Sequence, residues 1–266
     1  MTESDPAYAA IRRDGVLRIT RPNTEWLSTG WNGGRRVADC AYNVSVPEGW
    51  DRTDLEAYVD ERLERAGFET PENSPGPALL TGVDIGDARG ARRGPVTVYA
   101  TAGISNPAAL PTTVESESER ASETPASSEG QLEQGRGTVN VVVGTTRALA
   151  AGALANLIAV TAEAKAATLL AETGFPGTTT DAIVVGHDPD GPPAAFSGSG
   201  TEVGAATRAC VRDAVLASLR AHYAAADAAV PDSVVDAPYG VSTDERATVF
   251  RPPLETNGDD DRASTR

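Results

Sequence analysis

Apolar residues along this chain switch between two periods. Val16–Ile19, Trp26–Thr29 and the stretch from Val37 to Val46 have the composition of short strands, whereas Leu55, Tyr58, Val59 and Leu63 recur at helical spacing and predict a helix over residues 54–66. Gly67 follows as its stop. Leu79–Val83 and Val96–Ala100 are apolar runs bounded by glycine and proline, as buried strands are, and Thr138–Val143 predicts another. A long helix is predicted from Leu149 to Glu172, a strand over Ala182–Val185 and a last helix over Glu202–Tyr223. This alternation predicts an α/β (or α+β) fold: a layered sheet with packed helices in a single domain.

Two segments lack such a pattern. Pro111 to Gly137 is rich in Ser, Glu and Pro, with too little apolar content to offset the entropy of ordering, and predicts a disordered acidic insertion over 111–137. Residues 227–266 carry several prolines and Asn257-Gly-Asp-Asp-Asp-Arg262. After Val235 no periodic apolar pattern remains except the brief Ala247-Thr-Val-Phe250, which predicts a mostly flexible tail with at most a short docked piece, and leaves 1–226 as the domain. The longest apolar run, Ala148–Val160, is broken by Gly152 and Asn156 and is short for a bilayer, so a buried helix is expected and no membrane segment.

Charge changes the picture of where the protein works. Asp and Glu number 38 against 23 Lys and Arg, a net charge of -15, and arginine is strongly preferred to lysine. Such an acidic surface suits a halophile-type cytoplasm, where salt screens self-repulsion. It repels polyanions, so nucleic acid is not expected as a partner. Cys40 and Cys210 are too few and too far apart for a metal knuckle or a disulfide framework, and the start does not read as a signal peptide; a reducing cytoplasm is the expected location. The sequence leaves homo-oligomerisation open.

The single lysine, Lys165, lies in the Ala-rich stretch Thr161-Ala-Glu-Ala-Lys-Ala-Ala-Thr168. Its compact ammonium offers chemistry that a guanidinium does not, while the bland reading is a solvated lysine on a helix face. Polar glycine loops flank the predicted strands: Ser28-Thr-Gly-Trp-Asn-Gly-Gly34, Thr101-Ala-Gly-Ile-Ser-Asn-Pro107, Pro176-Gly-Thr-Thr-Thr-Asp181 and Ser197-Gly-Ser-Gly-Thr201. Loops of this kind present backbone N–H groups to ligands, although singly each is more often a turn or cap.

Taken in order, Ser28–Gly34, Thr81-Gly-Val-Asp84, Thr101–Asn106, Gly137-Thr-Val-Asn-Val-Val-Val143, Thr161–Lys165 and Gly177-Thr-Thr-Thr-Asp181 resemble the adenosylcobinamide amidohydrolase family of archaeal corrinoid salvage, over roughly Trp26 to Tyr223. The family pattern has a glycine near Thr179 and a threonine near Pro176, so this chain departs from it in that loop while keeping Thr180 and Asp181. The resemblance implies hydrolysis of the amide that joins the aminopropanol arm to the corrin ring. The products are adenosylcobyric acid and 1-amino-2-propanol, for salvage into coenzyme B12. Adenosylcobinamide is then the substrate and no resident cofactor is implied.

Amide hydrolysis needs an activated water or nucleophile, donors for the oxyanion and an acid for the leaving amine. His187, in a turn sequence, and His222, read as a surface residue, are the only histidines, which disfavours a Ser-His-Asp triad and a His-rich zinc site; no metal site is expected. Carboxylate and lysine chemistry remains. Asp181 is the candidate general base or orienter of a hydroxyl, with turn capping as its bland role. Thr180 or Ser105 are candidate hydroxyl nucleophiles, and Asn32, Asn106 and Asn140 candidate oxyanion or amide-recognition donors, with Ser28, Gly33 and Gly34 completing the expected substrate loops. On the long helix Glu163 aligns with Asn156, about 200° round from Lys165, so the two act on different atoms. Glu163 is read as a buried catalytic or structural carboxylate, and Lys165 as a catalytic group that can pair with Glu172. A non-catalytic corrinoid carrier and an amidase for an unrelated small amide are the alternatives.

Overall fold

The computed structural model describes residues 7–47, 49–68, 76–112, 137–225, 229–237 and 239–253. Nearly all of the expected acidic insertion, and the chain's last residues, lie outside these. Strands β1 (Ala9–Arg13) and β2 (Val16–Ser28) form a hairpin, and β3 (Gly34–Ser45) returns along β2. Helix α1 (Leu55–Arg65) is followed by Gly67 at φ 65°, a left-handed stop that glycine adopts freely. Next come β4 (Ala78–Thr81), a short 3-10 turn (Ile85–Asp87), β5 (Arg89–Arg93), β6 (Val96–Ala102) and the two-residue β7 (Ala108–Ala109). Past the insertion run β8 (Val139–Thr145), β9 (Ala148–Leu149), α2 (Ala151–Thr173), β10 (Ala182–His187), β11 (Pro193–Ala194), α3 (Glu202–Ala225) and β12 (Val241–Ser242).

One mixed sheet organises these elements in the order β4-β3-β2-β10-β8-β6-β5, with β1 beside β2. The β10–β8 and β3–β4 pairs are parallel and the others antiparallel. Where the sequence predicts two strands, Val16–Ile19 and Trp26–Thr29, the chain runs on through Arg21-Pro22-Asn23 as a bulge, with Asn23 at φ 53°. The bulge lets β2 pair with β1 along Val16–Thr20 and with β10 along Glu25–Ser28. The arginine-rich β1 and β5 escape a periodicity reading because charged edge strands bury little.

Alternation along the strands sorts side chains between two cores. Val139, Val141 and Val143 of β8, Ile183 and Val185 of β10 and the even-numbered residues Val96–Ala102 of β6 face α2 and α3. Trp26, Leu79, Val142 and Val184 fill the opposite face. Helix α2 is apolar on almost every side and long enough to cross a bilayer by length and composition; here Leu154, Leu157, Ala164 and Leu169 are buried in the core it shares with β10 and α3. The sheet also curls. Asn140 Nδ2 of β8 donates to the Leu80 carbonyl of β4 at 2.8 Å, although β3, β2 and β10 separate those strands in sheet order.

Candidate active site

The crossover from β8 through α2 to β10 brings three sequence-distant groups together. Lys165 lies on the buried face of α2, Asp181 immediately precedes β10 and Val139 opens β8. Asp181 Oδ2 accepts from the Lys165 ammonium and from the Thr178 backbone N–H (3.1 Å), while Oδ1 accepts from the Val139 N–H (2.8 Å) and the Thr178 hydroxyl. The two charged side chains are only 10% and 11% exposed. These four donors use the lone-pair positions a carboxylate offers. Gly177 makes the approach feasible: a Cβ there would stand 2.5 Å from Asp181 Oδ2 and 2.9 Å from Lys165 Nζ.

Asp181 also lies on the wall of a cavity of about 450 Å³. Beside it, the hydroxyls of Thr180 and Thr138 meet at 3.0 Å, and Thr180 faces the Gly137 carbonyl at 3.4 Å. The opposite wall is apolar and aromatic, with Leu79 and Leu80 of β4 and the indoles of Trp31 and Trp50. The β2–β3 hairpin is fastened to β10 through Thr29, whose N–H donates to the Ile183 carbonyl (2.9 Å) and whose hydroxyl accepts from the Ile183 N–H (2.9 Å). The cavity therefore has one polar, hydroxyl-rich side carrying a carboxylate and one apolar side, a usual division for a small-molecule site.

The structure thus gathers Lys165, Thr180 and Asp181. It leaves Glu163 out: that carboxylate is 65% exposed and faces Arg208 at 3.7 Å, because the 200° offset that buries Lys165 turns Glu163 to solvent. The expected pairing of Lys165 with Glu172 is replaced by the contact with Asp181, and Glu172 lies near Arg220 instead (3.8 Å).

In the hairpin, Thr29, Gly30 and Trp31 line the cavity. Ser28 sits behind them, its hydroxyl accepting from the Gly30 N–H (3.1 Å). Asn32 and Gly34, at φ 49° and 95°, shape the turn, and Gly33 packs where a Cβ would be 2.5 Å from the Ser28 carbonyl. Asn140 lies below the cavity rather than in it: its side chain donates to Asn43 Oδ1 (3.0 Å) and the Leu80 carbonyl and accepts from the Ala182 N–H (3.2 Å), tying two wall strands together.

Ser105 and Asn106 stand on a strap that runs past the Thr178–Asp181 turn. Asn106 Nδ2 donates to the Thr179 hydroxyl (2.7 Å), the Thr179 N–H donates to the Asn106 carbonyl (3.2 Å) and the Ala108 N–H to the Gly177 carbonyl (3.0 Å). The strap is held from α3 by Tyr223, whose hydroxyl donates to the Ile104 carbonyl (2.9 Å) and accepts from its N–H (3.0 Å). Burial raises the Tyr223 pKa, which keeps that proton in place. Neither histidine reaches the cavity. His187, at the far end of β10, accepts from the Leu149 N–H at 3.0 Å, and His222 contacts Asp87 at 3.1 Å rather than standing free on the surface. Among the described residues no three His, Cys, Asp or Glu side chains gather as a metal cluster.

Residues 2–227 match the family described as adenosylcobinamide amidohydrolase. The chain belongs to this family. A curated adenosylcobinamide amidohydrolase of Halobacterium salinarum is 54% identical over 249 residues, covering 92% of this chain and 100% of the relative. Another, from Methanosarcina mazei, is 28% identical over 197 residues, covering 70% of this chain and 85% of the relative. Among solved structures, the PH0078 protein from Pyrococcus horikoshii OT3 aligns with a TM-score of 0.39 and 11% identity over 82% of this chain and 81% of the other. The adenosylcobinamide amidohydrolase match ends just beyond α3, so the segment carrying β12 lies past it; β12 pairs with β7 on the strap, where the Val241 N–H donates to the Pro107 carbonyl at 2.9 Å.

Sequence reasoning passed over Thr138, Thr178, Trp31 and Trp50. A usable signal existed for Trp31, a large indole inside a glycine-rich turn. Thr178 had none, because its partnership with Asp181 depends on how the turn closes.

Proposed function

We propose that this chain hydrolyses the amide between the aminopropanol arm and the corrin ring of adenosylcobinamide. The products are adenosylcobyric acid and 1-amino-2-propanol, and the ring returns to coenzyme B12 synthesis. The observation that carries this reading is Asp181 on the cavity wall, held from behind by Lys165 and standing beside the Thr138 and Thr180 hydroxyls. The corrinoid is substrate here, and the acidic chain acts in a salt-rich cytoplasm.

The cavity of about 450 Å³ suits an amide arm, with the much larger ring and its adenosyl group left at the mouth. The Thr178 hydroxyl is the one donor to Asp181 that a single bond rotation removes, which opens Oδ1 to a water. Asp181 takes a proton from that water as its oxygen attacks the carboxamide carbon, and the Thr138 and Thr180 hydroxyls donate to the developing oxyanion. The proton held on Asp181 then passes to the departing amine as the C–N bond breaks, while the Lys165 ammonium holds the carboxylate in position from behind. Water is consumed, and the pair returns to its starting protonation.

A carboxylate with all four acceptor positions filled is also what a purely structural aspartate shows, and this favours the carrier reading as the second one. The two separate in one experiment: purified protein in molar KCl is incubated with adenosylcobinamide and the mixture examined by mass spectrometry. Adenosylcobyric acid from the wild type and not from Asp181→Asn supports hydrolysis through this pair; corrinoid binding with no product supports the carrier.

A further inference from the structure

The hydrolysis leaves two cavity side chains without a role. Trp31 stands at the tip of the β2–β3 hairpin, 36% exposed on the cavity lip, where a large aromatic has no packing reason to be. Trp50 lines the same cavity but is only 6% exposed, leaning on Tyr58 with ring centroids 5.0 Å apart. Among the described residues its indole N–H finds no acceptor. The contrast is Trp26, the chain's remaining tryptophan, whose N–H donates to the Ala38 carbonyl at 3.0 Å in the opposite core. The Trp50 nitrogen is sealed from the cavity as well as from solvent, so Trp50 brings ring bulk to the wall and not a reachable donor.

We infer that Trp31 forms a recognition surface for a flat, carboxamide-rimmed macrocycle, stacking against its conjugated plane at the cavity lip, with the buried Trp50 ring holding the apolar wall behind it. The identity of the macrocycle as a corrin rests on the function proposed above. A cavity of about 450 Å³ cannot enclose such a ring together with its arm, so the ring must lie at the lip, and the lip is where Trp31 is exposed. The division of labour is spatial: hydroxyls and Asp181 on the polar side handle the amide, and Trp31 on the apolar side holds the body that carries it.

The subsite is tested by binding, which can be read without turnover. Cobinamide absorbs where indole emits, so titrating it against the intrinsic fluorescence of the intact protein gives a Kd. Trp31→Ala should weaken cobinamide binding about tenfold, with Trp31→Phe between it and the wild type. Trp50→Phe keeps a ring against Tyr58 and removes only a sealed donor, and should leave cobinamide affinity within about twofold of wild type. In turnover the Trp31 losses should fall on KM rather than kcat. They should also be confined to ring-bearing ligands, so that N-(2-hydroxypropyl)acetamide, which carries the amide without the ring, competes equally poorly with all forms. Cobinamide affinity equal to wild type in Trp31→Ala overturns the subsite. Wild-type binding without hydrolysis, weakened by the Trp31 substitutions, overturns the proposed reaction and leaves the subsite standing.

Discussion

Lys165 and Asp181 are sixteen residues apart in the chain, yet the ammonium of one donates directly to Oδ2 of the other with both side chains almost removed from solvent. In so lysine-poor a sequence this contact separates the two readings of Lys165: it is not a solvated helix residue. Val139 and Thr178 fill three of the four acceptor positions of Asp181, so one N–H of the ammonium is bound there and two are left for other acceptors.

Close approach at Gly177 makes the pair sensitive to a single carbon. Gly177→Ala places a Cβ where the Asp181 carboxylate and Lys165 ammonium already are, and shifts of this size at reacting groups lower kcat by about a hundredfold. Lys165→Arg should do likewise, because a planar guanidinium does not fit beside Gly177. Both are checked by product formation at saturating adenosylcobinamide, with melting curves confirming that the variants fold; near-normal kcat in either would remove the pair from the chemistry.

Asn140→Ala removes at one stroke a donor to Asn43, a donor to Leu80 and an acceptor for the Ala182 N–H. A loss of about 2–3 kcal/mol is expected from this buried network, read as a lower denaturant midpoint in high salt.

Glu163→Gln should leave both stability and turnover close to wild type. The exposed contact with Arg208 at 3.7 Å is worth no more than about 0.5 kcal/mol, so a strong activity loss would contradict the placement of this residue outside the site.

Burial, reinforced by the nearby Asp213 charge, pushes the Cys210 thiol up to about 11 from 9.0. The folded state then holds this proton more tightly than the unfolded state, so its contribution is present below pH 9 and is lost as pH rises from 9 towards 11. Cys210→Ala should flatten the fall in stability across that window, measured by denaturation at a series of pH values. At pH 8 alkylation of the native protein should label the half-buried Cys40 and spare Cys210.

Much of the fold was legible because its central elements carry strong periodicity. The predicted runs at Val96–Ala100, Thr138–Val143 and Ala182–Val185 became β6, β8 and β10, and the long helix differs from expectation by about a turn or less. What escaped was set by long-range geometry. Pro22 and Asn23 look like a strand end and are a bulge, because β1 and β10 wait on either side of it. Glu163 and Lys165 could be placed on opposite faces of a helix from spacing alone, but which face was covered depended on where β10 and α3 came to lie. Asn140 read as a ligand donor because its motif sits at a strand start; the curl of the sheet turned it into an internal tie.

That curl makes the candidate site depend on the whole sheet being closed. One wall belongs to an edge strand and another to the middle of the sheet, so a chain with every helix and most strands formed still has no cavity until the edge has swung across. Catalysis should consequently disappear in mild denaturant while the helical signal persists, and loss of activity would report the detachment of β4 from β8 before any wider collapse.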